Sequence, residues 1–548
     1  MARTWLRAAV VWVGLIGLGA VVPAQMQATG AAGTSVATKK ACSVISNAPT
    51  PAETALNKKQ YSVSEGMYRD LLAKSAENAI AHEGLVRVLI EQDKVDAAAK
   101  DAEAWAAVAP ENSMALTALG DVRLRQGNPR EAFTQFQKAV RADVCNARAY
   151  FGLAEVDSLA GMHATSQKLI ERAYSLHPTD DDIHEWWIST RQRKERLQLW
   201  GNYAEHSDQL NDDDRTKLKA RLEKESQYHT SDCRMSPSSP REAKVPMAAV
   251  TDGPYRFLGW GLDVQFNGKR RRLQIDTGAS GITISRAAAM FLGIKRDDTT
   301  ELGGIGDKAK VKTSIAHVAS VKIGGVEFTN CPVEILEKWS VLDSDGLIGG
   351  DVFNGSLLTL DFPKHELRVA PLPERPGEKK ADATKDAAGD DTVVEAHDPY
   401  VAPEMTKWQG IYRVGHELLM PTGLVDTKHV KDGSAWKEKL FMLDTGSAGN
   451  LISPAAAREV TKVSRDSSMG IRGIQGEVDK VYAAGQFTLA FAGLRLDSPS
   501  MTAIDLTTAS HNSGVEVSGL IGAPALFQIV LHIDYRDNLV WCEYTPPK

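Results

Sequence analysis

The sequence predicts a multidomain chain: an all-α solenoid of short helical repeats, followed by two all-β lobes of matching pattern. Three observations carry that prediction. Small residues recur at a fixed 34-residue spacing between Gly84 and Ala173. After Pro246 the hydrophobic periodicity changes from helical to alternating. The strand and turn motifs that follow occur twice in the same order. At 548 residues the chain is too long for a single core, so several domains are expected.

Composition is that of an ordinary globular protein, with 43% hydrophobic and 24% charged residues. A formal net charge of −6 gives no footing for a nucleic-acid partner, since such proteins usually show a basic face or a pI above about 9. Residues 1–24 read as a secretory signal. Arg3 and Arg7 form a positive start, an apolar run follows from Ala8 to Val22, and Val22-Pro23-Ala24 precedes Gln25 as the mature start. The run is short of the roughly 20 residues that span a bilayer, so an uncleaved anchor is the weaker alternative. No stable membrane span is expected after cleavage, and the chain is expected in the periplasm or secreted. Residues 25–51 read as a flexible segment. Cys42, Cys145, Cys233, Cys331 and Cys542 can pair in an oxidising compartment. Their odd number leaves at least one free or intermolecular, and the connectivity stays open. No two lie at CxxC spacing, so a zinc site is not expected, and the reading calls for no metal or cofactor.

Residues 52–206 read as helical repeats. Ala, Leu, Glu, Lys, Arg and Gln dominate, and Pro falls at segment ends. Gly84, Ala118 and Gly152 share one offset, as do Ala98, Ala132 and Ser166, and Ala139 with Ala173. Small residues are needed where two helices of a unit cross closely, and Pro suits a turn that requires no donor. This pattern resembles the tetratricopeptide repeat family. Units fall at Ser113–Asn146 and Ala147–Thr179, a third at Ile80–Asn112, and a degenerate one before it. Trp105 stands where a small residue is expected. Trp186, Trp187 and Trp200 are assigned to a capping helix. The resemblance implies a concave surface for a peptide or protein partner. Residues 207–245, with Ser236-Pro237-Ser238-Ser239-Pro240, read as a linker.

Two β-patterns follow. Leu262–Phe266 is strand-like, and Asn267-Gly268 is a hairpin turn. Arg272-Leu273-Gln274-Ile275 then leads into Asp276-Thr277-Gly278-Ala279-Ser280, with the strand Ile282–Ser285 and a short helix behind. In the second copy Leu440–Leu443 leads into Asp444-Thr445-Gly446-Ser447-Ala448, then Leu451-Ile452-Ser453 and a helix from Pro454. Gly346-Leu347-Ile348-Gly349 recurs as Gly519-Leu520-Ile521-Gly522, and Leu360-Asp361-Phe362 as Ile533-Asp534-Tyr535. One Asp-Thr-Gly tripeptide carries little information, but two with the same flanks and the same distant Gly-Leu-Ile-Gly carry much.

These residues resemble the retropepsin-like aspartic protease family, in particular its bacterial members, over Gly259–Val369 and Glu417–Trp541. The resemblance implies lobes at 246–370 and 400–548, an interlobe linker at 371–399, and a pepsin-like pseudo-dimer within one monomeric chain. It assigns one catalytic carboxylate to each lobe, Asp276 and Asp444, each crossed by its downstream apolar segment. Thr277 and Thr445 would bond across the lobe boundary, Gly278 and Gly446 would offer close amides, and Ser280 and Ser447 would orient the outer carboxylate oxygens. Gly304 and Ile305 in one lobe, and Gly473 and Ile474 in the other, are flap candidates by likeness to the family's Gly-rich flap tips.

The chemistry explains why two carboxyls are needed. Metal-free peptide hydrolysis requires a water made nucleophilic on one side and a proton delivered on the other. Like charges at about 3 Å resist double ionisation, so a pair holds one proton between them and can do both. The sequence therefore predicts an aspartic endopeptidase acting on peptide or protein substrates. The alternative is an inactive binding scaffold built on the repeats and lobes, against which both intact loops count. His317, His416 and His532 stand in strand-like contexts without a matched Ser or Cys motif and are assigned to core or surface packing. No HExxH, GxSxG or Walker pattern occurs.

Overall fold

Helices begin at Ala79, Ser113, Ala147 and Asp181, each 34 residues after the last, and again at Tyr61, Val95, Pro129 and His163. The computed structural model describes residues 42–227, 233–252, 256–296, 298–302, 311–337, 344–377, 396–431, 436–466, 470–473 and 476–544. The repeat is written into the helix caps. Asn78, Asn112, Asn146 and Asp180 each accept a hydrogen bond from a backbone amide of the first turn, a contact worth about 1 kcal/mol apiece. The small positions are crossing points. The fully buried ring of Phe136 lies between Gly120 and Gly152, where added Cβ atoms would meet it at 2.5 and 2.3 Å. Tyr68 fills the equivalent space beside Gly84.

Three sequence expectations change here. Trp186 and Trp187 lie on the helix Asp181–Ser189 and Trp200 on Arg193–His206, so a helix pair continues the array where one capping helix was expected. The stretch 207–245 is not a plain linker. It carries the helix Asp212–Gln227, started by Asn211, whose side chain accepts from the Asp214 amide. Leu218 and Leu222 of this helix pack against Ile188, Trp200 and Tyr203. Ala243–Pro246 from the same stretch is a strand paired to Glu366–Ala370. Polar composition hid both, since only two apolar residues fasten the helix and strand pairing needs only backbone. Residues 42–50 lack regular structure, yet they are pinned by the Cys42–Cys145 disulfide and a hydrogen bond from the Ile45 amide to the Leu176 carbonyl. A second disulfide joins Cys233 and Cys331, and Cys542 is free and buried.

The β-region forms three main sheets. A nine-stranded sheet holds Asp276 and a ten-stranded sheet leads into Asp444. A six-stranded sheet draws strands from both halves. At its centre Leu357–Asp361 runs antiparallel to Ile529–Asp534, with Thr359 opposite His532. Asp534 follows Asp361 by 173 residues, as Gly519 follows Gly346, and by that offset His532 is the counterpart of Thr359. Matching positions thus face each other, and Thr359 Oγ1 lies 2.9 Å from His532 Nδ1.

The helical array does not stand apart. Leu124, Ala132, Phe136, Leu153 and Val156 share one apolar cluster with Leu419, Leu440, Met442, Leu451 and Leu520. Polar contacts rim this joint. Glu516 donates its amide to the Arg125 carbonyl, Arg125 donates to the Ser510 carbonyl at 3.1 Å, and Thr165 binds Asp398 through amide and hydroxyl. Among the described residues no helix is long and apolar enough to cross a membrane.

Candidate active site

Each Asp-Thr-Gly loop is held by the sheet that carries it. Asp276 ends the strand Lys269–Asp276, and Asp444 follows Lys437–Leu443. Beside the first runs Gly346–Gly349 in parallel, with Gly349 opposite Asp276. Beside the second runs Gly519–Ile521, with Ile521 opposite Leu443. On their far sides these short strands pair antiparallel with Ile282–Ser285 and Leu451–Ile452. The downstream apolar segment therefore wedges between the strand entering each loop and the strand leaving it.

The two loops meet. The Thr277 amide donates to Thr445 Oγ1 at 3.0 Å, and the Thr445 amide donates to Thr277 Oγ1 at 3.1 Å. Each hydroxyl then donates across the boundary, Thr277 to the Leu443 carbonyl at 2.7 Å and Thr445 to the Ile275 carbonyl at 2.9 Å. Both threonines are buried, so these four bonds are made where an unmade one would cost about 1–3 kcal/mol.

Above them the carboxyl groups of Asp276 and Asp444 come together, each set against the glycine of the other loop. The Gly278 amide donates to Asp276 Oδ1 at 2.9 Å, and the Gly446 and Ser447 amides donate to Asp444 Oδ1 at 2.9 Å. The glycines are required by a crossed approach. A Cβ on Gly446 would lie 2.4 Å from Asp276 Cγ, and one on Gly278 would lie 2.9 Å from Asp444 Cγ. Burial, then the charge of Asp444, pushes the Asp276 carboxyl well above the usual carboxylate range. Burial also raises Asp444, while the hydrogen bond from Asp276 and the loop amides pull it back. Such a pair holds one proton between two oxygens and titrates as a unit.

The serines sit differently from expectation. Ser280 donates its hydroxyl to Asp351 at 3.0 Å, and Ser447 donates its own to the Gly449 carbonyl at 2.8 Å. Ser447 reaches Asp444 through its amide alone. The flap residues Gly304, Ile305 and Ile474 lie outside the described residues. The described strands that precede and follow the first two in sequence, Asp298–Leu302 and Val311–Ile323, pair antiparallel. Gly473 lies on a two-stranded hairpin, opposite Gly476.

Three partners of the loops escaped the sequence reading. Asp351 accepts from the Gly281 amide as well as from Ser280. In the second half Asn450 accepts from the Gly522 amide at 2.9 Å. His416 Nε2 lies 3.2 Å from the Gly278 carbonyl. Asp351 stands two residues after Gly-Leu-Ile-Gly and could have been found as the first carboxylate downstream of it. The other two carry no local signal. Among the described residues no group of His, Cys, Asp and Glu is arranged to hold a metal ion.

Comparison with known proteins agrees with the two resemblances. Residues 262–352 match the Aspartyl protease family, and residues 52–113 and 117–180 match the Tetratricopeptide repeat family. No curated protein matches the chain. Similar solved structures include a thermophilic tetratricopeptide-repeat protein of Thermus thermophilus, at 16% identity and a TM-score of 0.25, covering 32% of this chain and 98% of that one. They also include a retropepsin-like aspartic protease from Rickettsia conorii, at 23% identity and a TM-score of 0.18, covering 25% of this chain and 94% of that one. The chain thus carries an aspartyl-protease-like region preceded by tetratricopeptide repeats.

Proposed function

We propose that this chain is an aspartic endopeptidase whose two lobes, 246–370 and 400–548, close on each other as an intramolecular pseudo-dimer. The observation that carries the reading is the crossed approach of the Asp276 and Asp444 carboxyls, each to the other loop's glycine, in loops locked together by Thr277 and Thr445. A water between the carboxyls would lose a proton to the ionised member as its oxygen attacks the peptide carbonyl carbon. The protonated member gives its hydrogen to the carbonyl oxygen. As the tetrahedral diol collapses, one of its hydroxyls returns a proton to the ionised member, the C–N bond breaks, and the protonated member passes its own proton to the leaving amine. One proton stays on the pair, ready for the next water. Gly278, Gly446 and the Ser447 amide hold the carboxylates in place throughout. The two-fold matching of Thr359 with His532 in the shared sheet supports pairing within one chain.

The helical repeats are proposed to recruit a peptide substrate or protein partner. Export is proposed from residues 1–24, and two disulfides in one chain agree with an oxidising compartment.

Purified full chain incubated with fluorescein-labelled casein from pH 4 to 8 tests the reading. Cleavage should fall toward alkaline pH as the shared proton is lost, and immobilised pepstatin should retain the protein. Asp276→Asn and Asp444→Asn should each lower turnover by at least about a thousandfold while the far-UV spectrum stays unchanged. Activity retained in either variant would dismiss a shared dyad.

A further inference from the structure

The two loops are not supported alike. Tyr412–Val414 and Glu417–Val425 form a hairpin whose turn is Gly415-His416, with Val414 opposite Glu417. Gly415 takes the positive φ of 56° that a two-residue hairpin turn demands at its first central position. That turn sends His416 over the lobe boundary to the Gly278 carbonyl, where Nε2 lies 3.2 Å from the oxygen. A carbonyl can only accept, so Nε2 carries the hydrogen. Gly278 is itself the residue whose amide holds Asp276 and whose α-carbon faces Asp444. The imidazole therefore grips a residue that touches both carboxyls, as Gly446 does from the other loop.

Among the described residues the other lobe shows no such grip. Gly261 pairs with Gln274, two residues before Asp276, and Leu419 pairs with Met442, two residues before Asp444. Three residues before Leu419 is His416, and three before Gly261 is Leu258, an apolar side chain with no donor. Among the described residues the contact is thus made from one lobe alone.

The hairpin is also tied backward into the helical array. Arg413 donates to the Gly415 carbonyl at 3.1 Å and to Asn538 Oδ1 at 2.8 Å. Asn538, buried, donates to the Leu159 carbonyl at the end of the helix Ala147–Leu159. Tyr412 and Val414 pack into the apolar cluster that Leu153 and Val156 supply from that helix.

We infer that His416 is a positioning residue for the Asp276 loop, anchored on the repeat array through Arg413 and Asn538. The inference rests on the peptidase reading and adds to it that the array forms part of the catalytic framework. Gln keeps a donor at the same reach from the main chain as Nε2, whereas Phe keeps the ring and loses the donor.

The test uses the full-length chain and an internally quenched peptide chosen from a library by wild-type cleavage, too short to reach the repeats and the dyad together. His416→Phe and His416→Ala should lower kcat about tenfold with KM within about twofold, the scale of one lost hydrogen bond. His416→Gln should return kcat to within about threefold of wild type. Thermal melts of all three establish folding, and the Gln to Phe comparison stands if the Ala variant fails to fold. Equal kcat for Gln and Phe, or loss confined to KM, overturns the inference while leaving the peptidase reading intact. A wild-type chain that cleaves no library member and ignores pepstatin overturns both.

Discussion

At the scale of single residues, the dyad makes stability depend on pH with a definite sign. The Asp276 carboxyl is raised above its unfolded value, so the folded chain keeps a proton that the unfolded chain has released. The stabilisation is full below the unfolded pKa, near 4, and is lost as pH rises toward the folded value. Asp276→Asn reproduces the protonated form, with an oxygen for the Gly278 amide and a donor for Asp444. Its melting temperature should exceed that of wild type at pH 7 by several degrees, and the gain should vanish near pH 3. Calorimetry at both values checks this, and an equal gain at both would show that charge is not the cause. Gly446→Ala should abolish activity without such a gain, because its Cβ runs into Asp276. The loops themselves were legible in the sequence, since Asp, Thr and Gly each answer a separate local demand. His416 was not, because its partner lies 138 residues away and reaches it only through a hairpin turn whose direction the sequence does not encode.

Among the helices, periodicity spoke plainly wherever a side chain had one job. The buried small positions fell at their expected spacing because every unit repeats the same crossing, and the Asn and Asp caps keep the same interval. Gly152→Ala should therefore cost about 1–3 kcal/mol through overpacking on Phe136, and Phe136→Ala about 3–5 kcal/mol through the void it leaves. Urea titrations of the full chain measure both. The inner face carries a second pH signal. Burial pushes Glu83 up to about 7, Asp121 to about 6 and Glu155 to about 8, while Arg87 and Arg148 are engaged by Asp182 at 2.7 and 2.8 Å. By the sign worked out for Asp276, the array should lose stability as pH climbs from 4 to 8. Native-state hydrogen exchange at both ends of that range should show faster opening of the helices Ala79–Glu91, Ser113–Arg125 and Ala147–Leu159 at the higher pH. The helix Asp212–Gln227 was hidden from the sequence because only Leu218 and Leu222 pack in an apolar cluster, and its other ties, such as Arg196 to Glu225 and Lys59 to Asp214, are polar contacts between distant residues.

In the whole molecule the halves are bound by more than their connecting segment. Four threonine bonds join the loops, and the six-stranded sheet interleaves strands from both sides. A protease-cleavable sequence placed between Lys380 and Val393 should therefore yield two fragments that co-elute on gel filtration after cutting. Separation under native conditions would show that the tether, and not the sheet, holds the halves. The packing of the repeats on the second half was illegible in sequence, since Leu124, Leu153 and Val156 look like any inward residues of a helix. Cys542 lies on the strand Leu539–Tyr544 of the interleaved sheet, opposite Leu531, and burial pushes its thiol up to about 12. With the other four cysteines paired, it is a lone chemical clock: a maleimide added to the native protein can mark it only during moments when that sheet parts. The rate of marking would time those partings directly, and would slow when a tight inhibitor clasps both halves.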